Sequence, residues 1–145
     1  MPLKPGLTRI GEKIAPVLEK FGVHTCYLFG SYAHGQATPA SDVDLAVVFS
    51  GYEPTRHDLD LLTEMEAELA RALAPRAVDL VFLQREGIAF RFEVVSTGTV
   101  VYCRDHVART DFEDGVIRDY LDFAPMLARC EQELAEAIRE GHFFA

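Results

Sequence analysis

The chain has 145 residues, 49% of them hydrophobic, and carries 14 basic against 23 acidic residues for a net charge of −9. That length suits one domain with a real core, and the acidic balance argues against a broad electrostatic grip on nucleic acid. No apolar stretch approaches the roughly 20 residues of a membrane span, and Cys26, Cys103 and Cys130 are scattered without metal or redox spacing. The cysteines read as buried thiols in a reducing compartment, which places the protein in the cytoplasm.

In chain order, a helix is predicted from about Thr8 to Phe21, with Ile10, Ile14, Val17, Leu18 and Phe21 as its apolar stripe. Val23 to Phe29 reads as a strand that ends at a sharp turn, Gly30-Ser31. Asp42 to Phe49 reads as a second, buried strand. Ser50-Gly51-Tyr52-Glu53-Pro54 breaks the pattern, and a helix follows from about Thr55 to Leu73. Ala77 to Leu83 is a third strand candidate with Asp79 at its centre. Between Gly87 and Ser96, Ile88, Phe90, Phe92 and Val94 alternate as in a strand, and Thr99 to Cys103 adds an edge strand. The elements predict an α/β fold, a small mixed β-sheet flanked by helices.

The C-terminal third differs. Phe112, Val116, Tyr120, Phe123, Leu127, Cys130, Leu134 and Ile138 recur at steps of three or four among many charges, as in an amphipathic helix or helix pair. Pro125 predicts a break or kink near Phe123 to Pro125. The stripe either packs on the protein's own sheet or, with Phe143 and Phe144, forms a partner or dimer surface, so a homo-oligomer stays open.

The chemistry concentrates in Gly30-Ser31-Tyr32-Ala33-His34-Gly35 and Ser41-Asp42-Val43-Asp44-Leu45. Strand periodicity puts Asp42 and Asp44 on one face, with Cα atoms about 6.6 Å apart, close enough for both to reach one cation. Hard carboxylate oxygens suit Mg²⁺ or Mn²⁺. Gly30 permits close backbone approach, and Ser31 can cap a following helix whose free N–H groups favour a phosphate. An Asx turn at a strand start would explain the two aspartates alone, but not their spacing from Gly30-Ser31.

Gly30-Ser31, ten residues, then Asp42-Val43-Asp44 resembles the nucleotidyltransferase superfamily typified by DNA polymerase beta. More narrowly, the two segments look like the minimal nucleotidyltransferase (MNT) group, with His34 standing where that group usually has Arg. The resemblance implies a third carboxylate on a neighbouring strand, and Asp79 fits it; the alternative is a structural Asp held by backbone donors or Arg76. It also implies a short helix over 87–96 in place of the alternating strand. The implied organisation is a nucleotidyltransferase domain over residues 1–104, with residues 105–145 as a C-terminal helical extension packed on it.

The same resemblance implies Asp42, Asp44 and Asp79 as catalytic metal ligands for Mg²⁺ or Mn²⁺. Gly30, Ser31 and His34 become the nucleotide-binding residues, ATP the donor, and the acceptor a tyrosine of a cognate HEPN toxin, which makes the chain an antitoxin. His34 either donates to phosphate when protonated or is a plain loop residue. Arg85, Arg91, Arg104 and Arg109 are candidates for the triphosphate tail. The alternatives are a catalytically weak or inactive antitoxin that works by binding, and an aminoglycoside-type enzyme acting on a small molecule.

Overall fold

A computed structural model describes residues 5–30, 41–54 and 58–141. Helix α1 (Pro5–Lys20) buries Ile10, Ile14 and Leu18, one residue per turn along a single stripe. It ends where Gly22 takes a positive φ of 76°, the left-handed conformation that commonly stops a helix. Strands β1 (Val23–Phe29) and β2 (Val43–Phe49) form an antiparallel pair and are almost wholly buried. Helix α2 (Asp58–Leu73) then returns the chain so that β3 (Val78–Phe82) lies parallel to β2. After a 3-10 turn at Leu83–Arg85 come α3 (Ile88–Thr97), β4 (Thr99–Cys103), antiparallel to β1, and the long α4 (His106–Arg139).

The sheet order is β3-β2-β1-β4, a mixed sheet with β4 at one edge as the sequence suggested. Its two faces follow from strand periodicity. On β2, Val43, Leu45, Val47 and Phe49 join the core under α1 and α2, while Ala46 and Val48 join Tyr27, Leu83 and Val94 on the other face. Asp44 belongs to the second set by position. So does Asp79, since it alternates with Val78, Leu80 and Phe82 of the first.

The 87–96 segment is helical, and its alternation now has a physical explanation. Phe90 packs with the second core cluster around buried Val94, whereas Phe92 stacks on Tyr120 of α4 with ring centroids 3.8 Å apart and 4° between the planes. Residues two apart lie about 200° apart around a helix, so a helix wedged between two apolar neighbours reproduces the alternation of a strand.

Of the break or kink expected near Pro125, helix α4 shows no break. It runs unbroken through Pro125, because a single proline removes one backbone donor while the turns on either side keep theirs. Asp105 caps its start by accepting from the Ala108 N–H at 3.0 Å. The cysteines correct an expectation: Cys26 is buried, but Cys103 is only partly covered and Cys130 is exposed on α4. Among the described residues no helix is long and apolar enough to cross a membrane.

At the sheet end where β2 and β3 finish, Phe49, Tyr52 and Phe82 form an aromatic cluster, with Phe49 and Phe82 edge to face at 4.8 Å. The Tyr52 hydroxyl donates to buried Asp58, which also faces Arg85 Nε at 3.6 Å. Burial, then the hydrogen bond and charge of Asp58, push the Tyr52 hydroxyl up to about 12. Tyr52 stays protonated in the fold where an unfolded tyrosine would ionise, so its stabilising contribution is intact below pH ~10 and fades as pH rises through about 12. Tyr52→Phe should cost roughly 1.5–3 kcal/mol in urea unfolding at neutral pH, the range for a hydrogen bond to a charged group. It should also flatten the alkaline loss.

Candidate active site

Three carboxylates gather where β2 and β3 begin. The Val43 N–H donates to the Ala77 carbonyl at 2.9 Å, which locks the starts of the two strands together. The parallel register that follows sets Asp44 directly beside Asp79, and Asp44 is also the antiparallel partner of Phe29 on β1. Phe29, Asp44 and Asp79 therefore form a row across three strands on one face. Asp42 precedes the strand by one residue and is exposed.

The row is electrostatically strained. The Asp44 carboxyl is held above the ordinary carboxylate range, first by partial burial, then by the charge of Asp79, then by that of Asp42. Like charges this close favour a proton, or a cation, between them. The donor set, all hard acid oxygens, fits a divalent ion such as Mg²⁺ or Mn²⁺. Among the described residues no three such side chains are drawn into a closed ligand cluster. Asp42 and Asp79 are both exposed, so packing does not oppose their side chains turning toward a shared ion.

Asp79 stands where the sequence placed it, but its carboxylate is exposed rather than buried in the strand. The sheet explains this: Val78, Leu80 and Phe82 point into the α1–α2 core, and the intervening residues face the other side. Register with Asp44, not burial in the strand, is what brings Asp79 to the site.

Gly30 has a role the motif alone did not reveal. Its φ is 72°, a conformation that side chains other than glycine's rarely adopt. A Cβ at this position would run into the Asp44 carboxylate, with the Asp44 Cγ only 3.1 Å away. The glycine therefore makes room for the carboxylate as well as shaping the turn. Ser31 and His34 lie outside the described residues.

The arginines separate clearly. Arg85 faces Asp58 at 3.6 Å, and Arg104 donates to Ser50 Oγ at 3.2 Å while its N–H bonds the His24 carbonyl. Both sit at the far end of the sheet from the carboxylates, which removes them from the set expected to meet a triphosphate. Arg109 is tied to Glu113 at 3.2 Å. Of the two that remain, Arg109 is held in that ion pair, whereas Arg91, on α3, has no ion pair among the described residues.

Sequence reasoning missed the aromatic flank of the row: Phe90 of α3 meets Phe29 edge to face at 5.6 Å. The signal was weak because the segment holding Phe90 was ambiguous between strand and helix. A cavity of about 360 Å³ lined by Leu7, Ile10, Leu73, Arg9, Lys13 and Arg76 lies beneath α1, on the sheet's opposite face, and is separate from the carboxylates.

Residues 12–107, about two thirds of the chain, match the family Polymerase beta, Nucleotidyltransferase. The chain belongs to this family. As a polymerase beta-type nucleotidyltransferase it is an enzyme that takes a nucleotide donor, and its sheet and flanking helices are those the family resemblance implied. The nucleotidyltransferase is 34% identical over 65 residues to the "putative protein adenylyltransferase" of Methanocaldococcus jannaschii, covering 45% of this chain and 70% of that one. It also superposes on a chain of a toxin–antitoxin crystal structure with AMP-PNP, at TM-score 0.70 and 26% identity over 86% of this chain and 98% of the other. A chain from the complex of a tri-AMPylated Shewanella oneidensis HEPN toxin with MNT antitoxin shares the fold at TM-score 0.66 and 24% identity, covering 88% and 98%.

Proposed function

We propose that this nucleotidyltransferase moves AMP from ATP to a tyrosine hydroxyl of a HEPN-type toxin partner and so acts as its antitoxin in the cytoplasm. The observation that carries the reading is the in-register pair Asp44 and Asp79, with Asp42 two residues upstream, set beside the Gly30 turn. Similarity to a protein adenylyltransferase and to a chain of a toxin–antitoxin complex with AMP-PNP supports adenylate as the group moved.

In this reading the tyrosyl oxygen attacks the α-phosphorus, an O–P bond forms, the bond to the bridging oxygen breaks and pyrophosphate leaves. Asp42, Asp44 and Asp79 would hold a divalent metal, which would supply positive charge to offset that developing on the phosphoryl group. Asp79, exposed on β3, would face the acceptor and could take the hydroxyl proton. The Gly30 backbone, Ser31 and His34 orient the β and γ phosphates, a positioning role. Residues 1–104 carry this chemistry, and residues 105–145 form the helical extension.

The test is direct. A HEPN-type helical protein, if one is encoded beside this chain's gene, incubated with the enzyme, Mg²⁺ and ATP, should gain the mass of one or more adenylate groups on tyrosine, read by mass spectrometry. Neutralisation of that protein with no mass gain would show a binding antitoxin instead. Transfer to an aminoglycoside but not to the protein would show a small-molecule enzyme.

A further inference from the structure

The apolar seam of α4 is longer than the protein that covers it. Val116, Tyr120, Phe123, Leu127, Cys130 and Leu134 follow one another at steps of four and three, the spacing of the two core positions of a heptad repeat. The N-terminal part of this seam is used within the fold: Val116 is buried and Tyr120 stacks on Phe92 of α3. Beyond Leu127 the same register continues uncovered at Cys130 and Leu134, the latter 47% exposed, with Ile138 beside it 56% exposed. The uncovered stretch from Leu127 to Ile138 is about 18 Å long at the helical rise, room for a helix of some three turns.

The flanks of the seam say what fits there. In this register the positions beside the uncovered core residues are Met126, Glu131, Glu133, Ile138 and Glu140, while Arg129 and Arg139 fall outside them. Every charged flanking position is acidic. A second copy of this chain would offer no basic flank to these glutamates in either orientation, and two chains of net charge −9 repel. Lysine or arginine flanks on a partner helix would instead be complementary.

We infer that the uncovered half of α4 docks an amphipathic helix of the protein acceptor, with an apolar face bordered by Lys or Arg. The partner helix continues the seam that α3 begins. This rests on the reading that the acceptor is a protein, and it names the surface by which that protein is held while its hydroxyl reaches the carboxylate row.

The experiment uses this chain and a HEPN-type helical protein encoded as its gene neighbour. Leu134→Glu/Ile138→Glu alters two exposed side chains, so thermal unfolding and the stabilisation by Mg²⁺ with ATP should match wild type. Affinity for the neighbour, measured by calorimetry, should fall at least about 30-fold. In the wild type Cys130, exposed at the seam, should react with a maleimide in the free enzyme and be protected in the complex, with peptide mapping separating it from Cys103. Unchanged affinity together with a still reactive Cys130 would overturn the docking surface, and so would a wild type that does not bind the neighbour. A wild-type dimer in sedimentation that Leu134→Glu/Ile138→Glu dissolves would overturn the choice of occupant. Binding through α4 with no adenylate added would refute the transfer reading and leave the surface standing. Transfer to the neighbour with Cys130 unprotected would do the reverse.

Discussion

Replacing Asp42 and Asp44 by asparagine should abolish adenylate transfer, lowering the rate by about 10³-fold or more, while the metal-free protein becomes more resistant to heat. If Asp42, Asp44 and Asp79 hold the metal as proposed, the loss follows from removing two of its three anionic ligands. The gain follows from the elevated proton affinity of Asp44, which burial and the charges of Asp79 and Asp42 impose. A carboxyl whose folded pKa lies above its unfolded value contributes stability below the unfolded value and loses it as pH rises through the folded one. At neutral pH the ionised carboxylate is therefore a burden on the metal-free fold, and a neutral amide relieves it. Wild type should accordingly gain thermal stability on acidification through the Asp44 titration, and Mg²⁺ or Mn²⁺ should stabilise it at neutral pH. The double variant should show neither effect. A variant that still gains stability from metal as wild type does would disprove the shared site.

Gly30→Ala should impair both stability and transfer, whereas Gly51→Ala should impair stability alone. Both glycines have positive φ, 72° and 61°, so an alanine at either position costs roughly 1–2 kcal/mol of backbone strain. They differ in what a Cβ would meet. At Gly51 nothing lies within 4 Å; at Gly30 the Asp44 carboxylate is in the way. Displacing that carboxylate by about 1 Å should slow transfer by roughly 10²-fold, the sensitivity expected of a positioned catalytic group. Denaturant unfolding and initial transfer rates of the two variants, measured side by side, separate the two effects. Equal rates in Gly30→Ala and Gly51→Ala would show that the contact with Asp44 does not matter.

Much of the fold was legible because its strands and helices carry their own periodicity. Val23–Phe29 and Thr99–Cys103 appear with the boundaries read from the sequence, and Asp42 lies one residue outside β2 rather than in it. The predicted start of α2 at Thr55 falls outside the described residues, and the helix is seen from Asp58. The segment holding α3 was ambiguous because both of its sides are covered, which no single-face pattern can encode. Arg85 and Arg104 looked like phosphate ligands only because sequence distance says nothing about which end of a sheet a residue occupies. His24 is buried, its pKa lowered mainly by desolvation, with Nδ1 2.7 Å from Thr25 Oγ1, and His106 is exposed, a difference that sequence alone does not show.

By itself the sequence determined the family, the strand that presents Asp44, and the glycine turn, because each depends on residues close together in the chain. Whether Asp79 stands beside Asp44 was a matter for the parallel pairing of β2 and β3, a contact between residues 35 apart that only the return through α2 brings about. Tertiary structure alone also decided that Gly30 lies against the Asp44 carboxylate and that α4 outruns its cover. The reason is the same in each case: periodicity and turn chemistry are local, but proximity between strands and the extent of a covered face are properties of the packed whole.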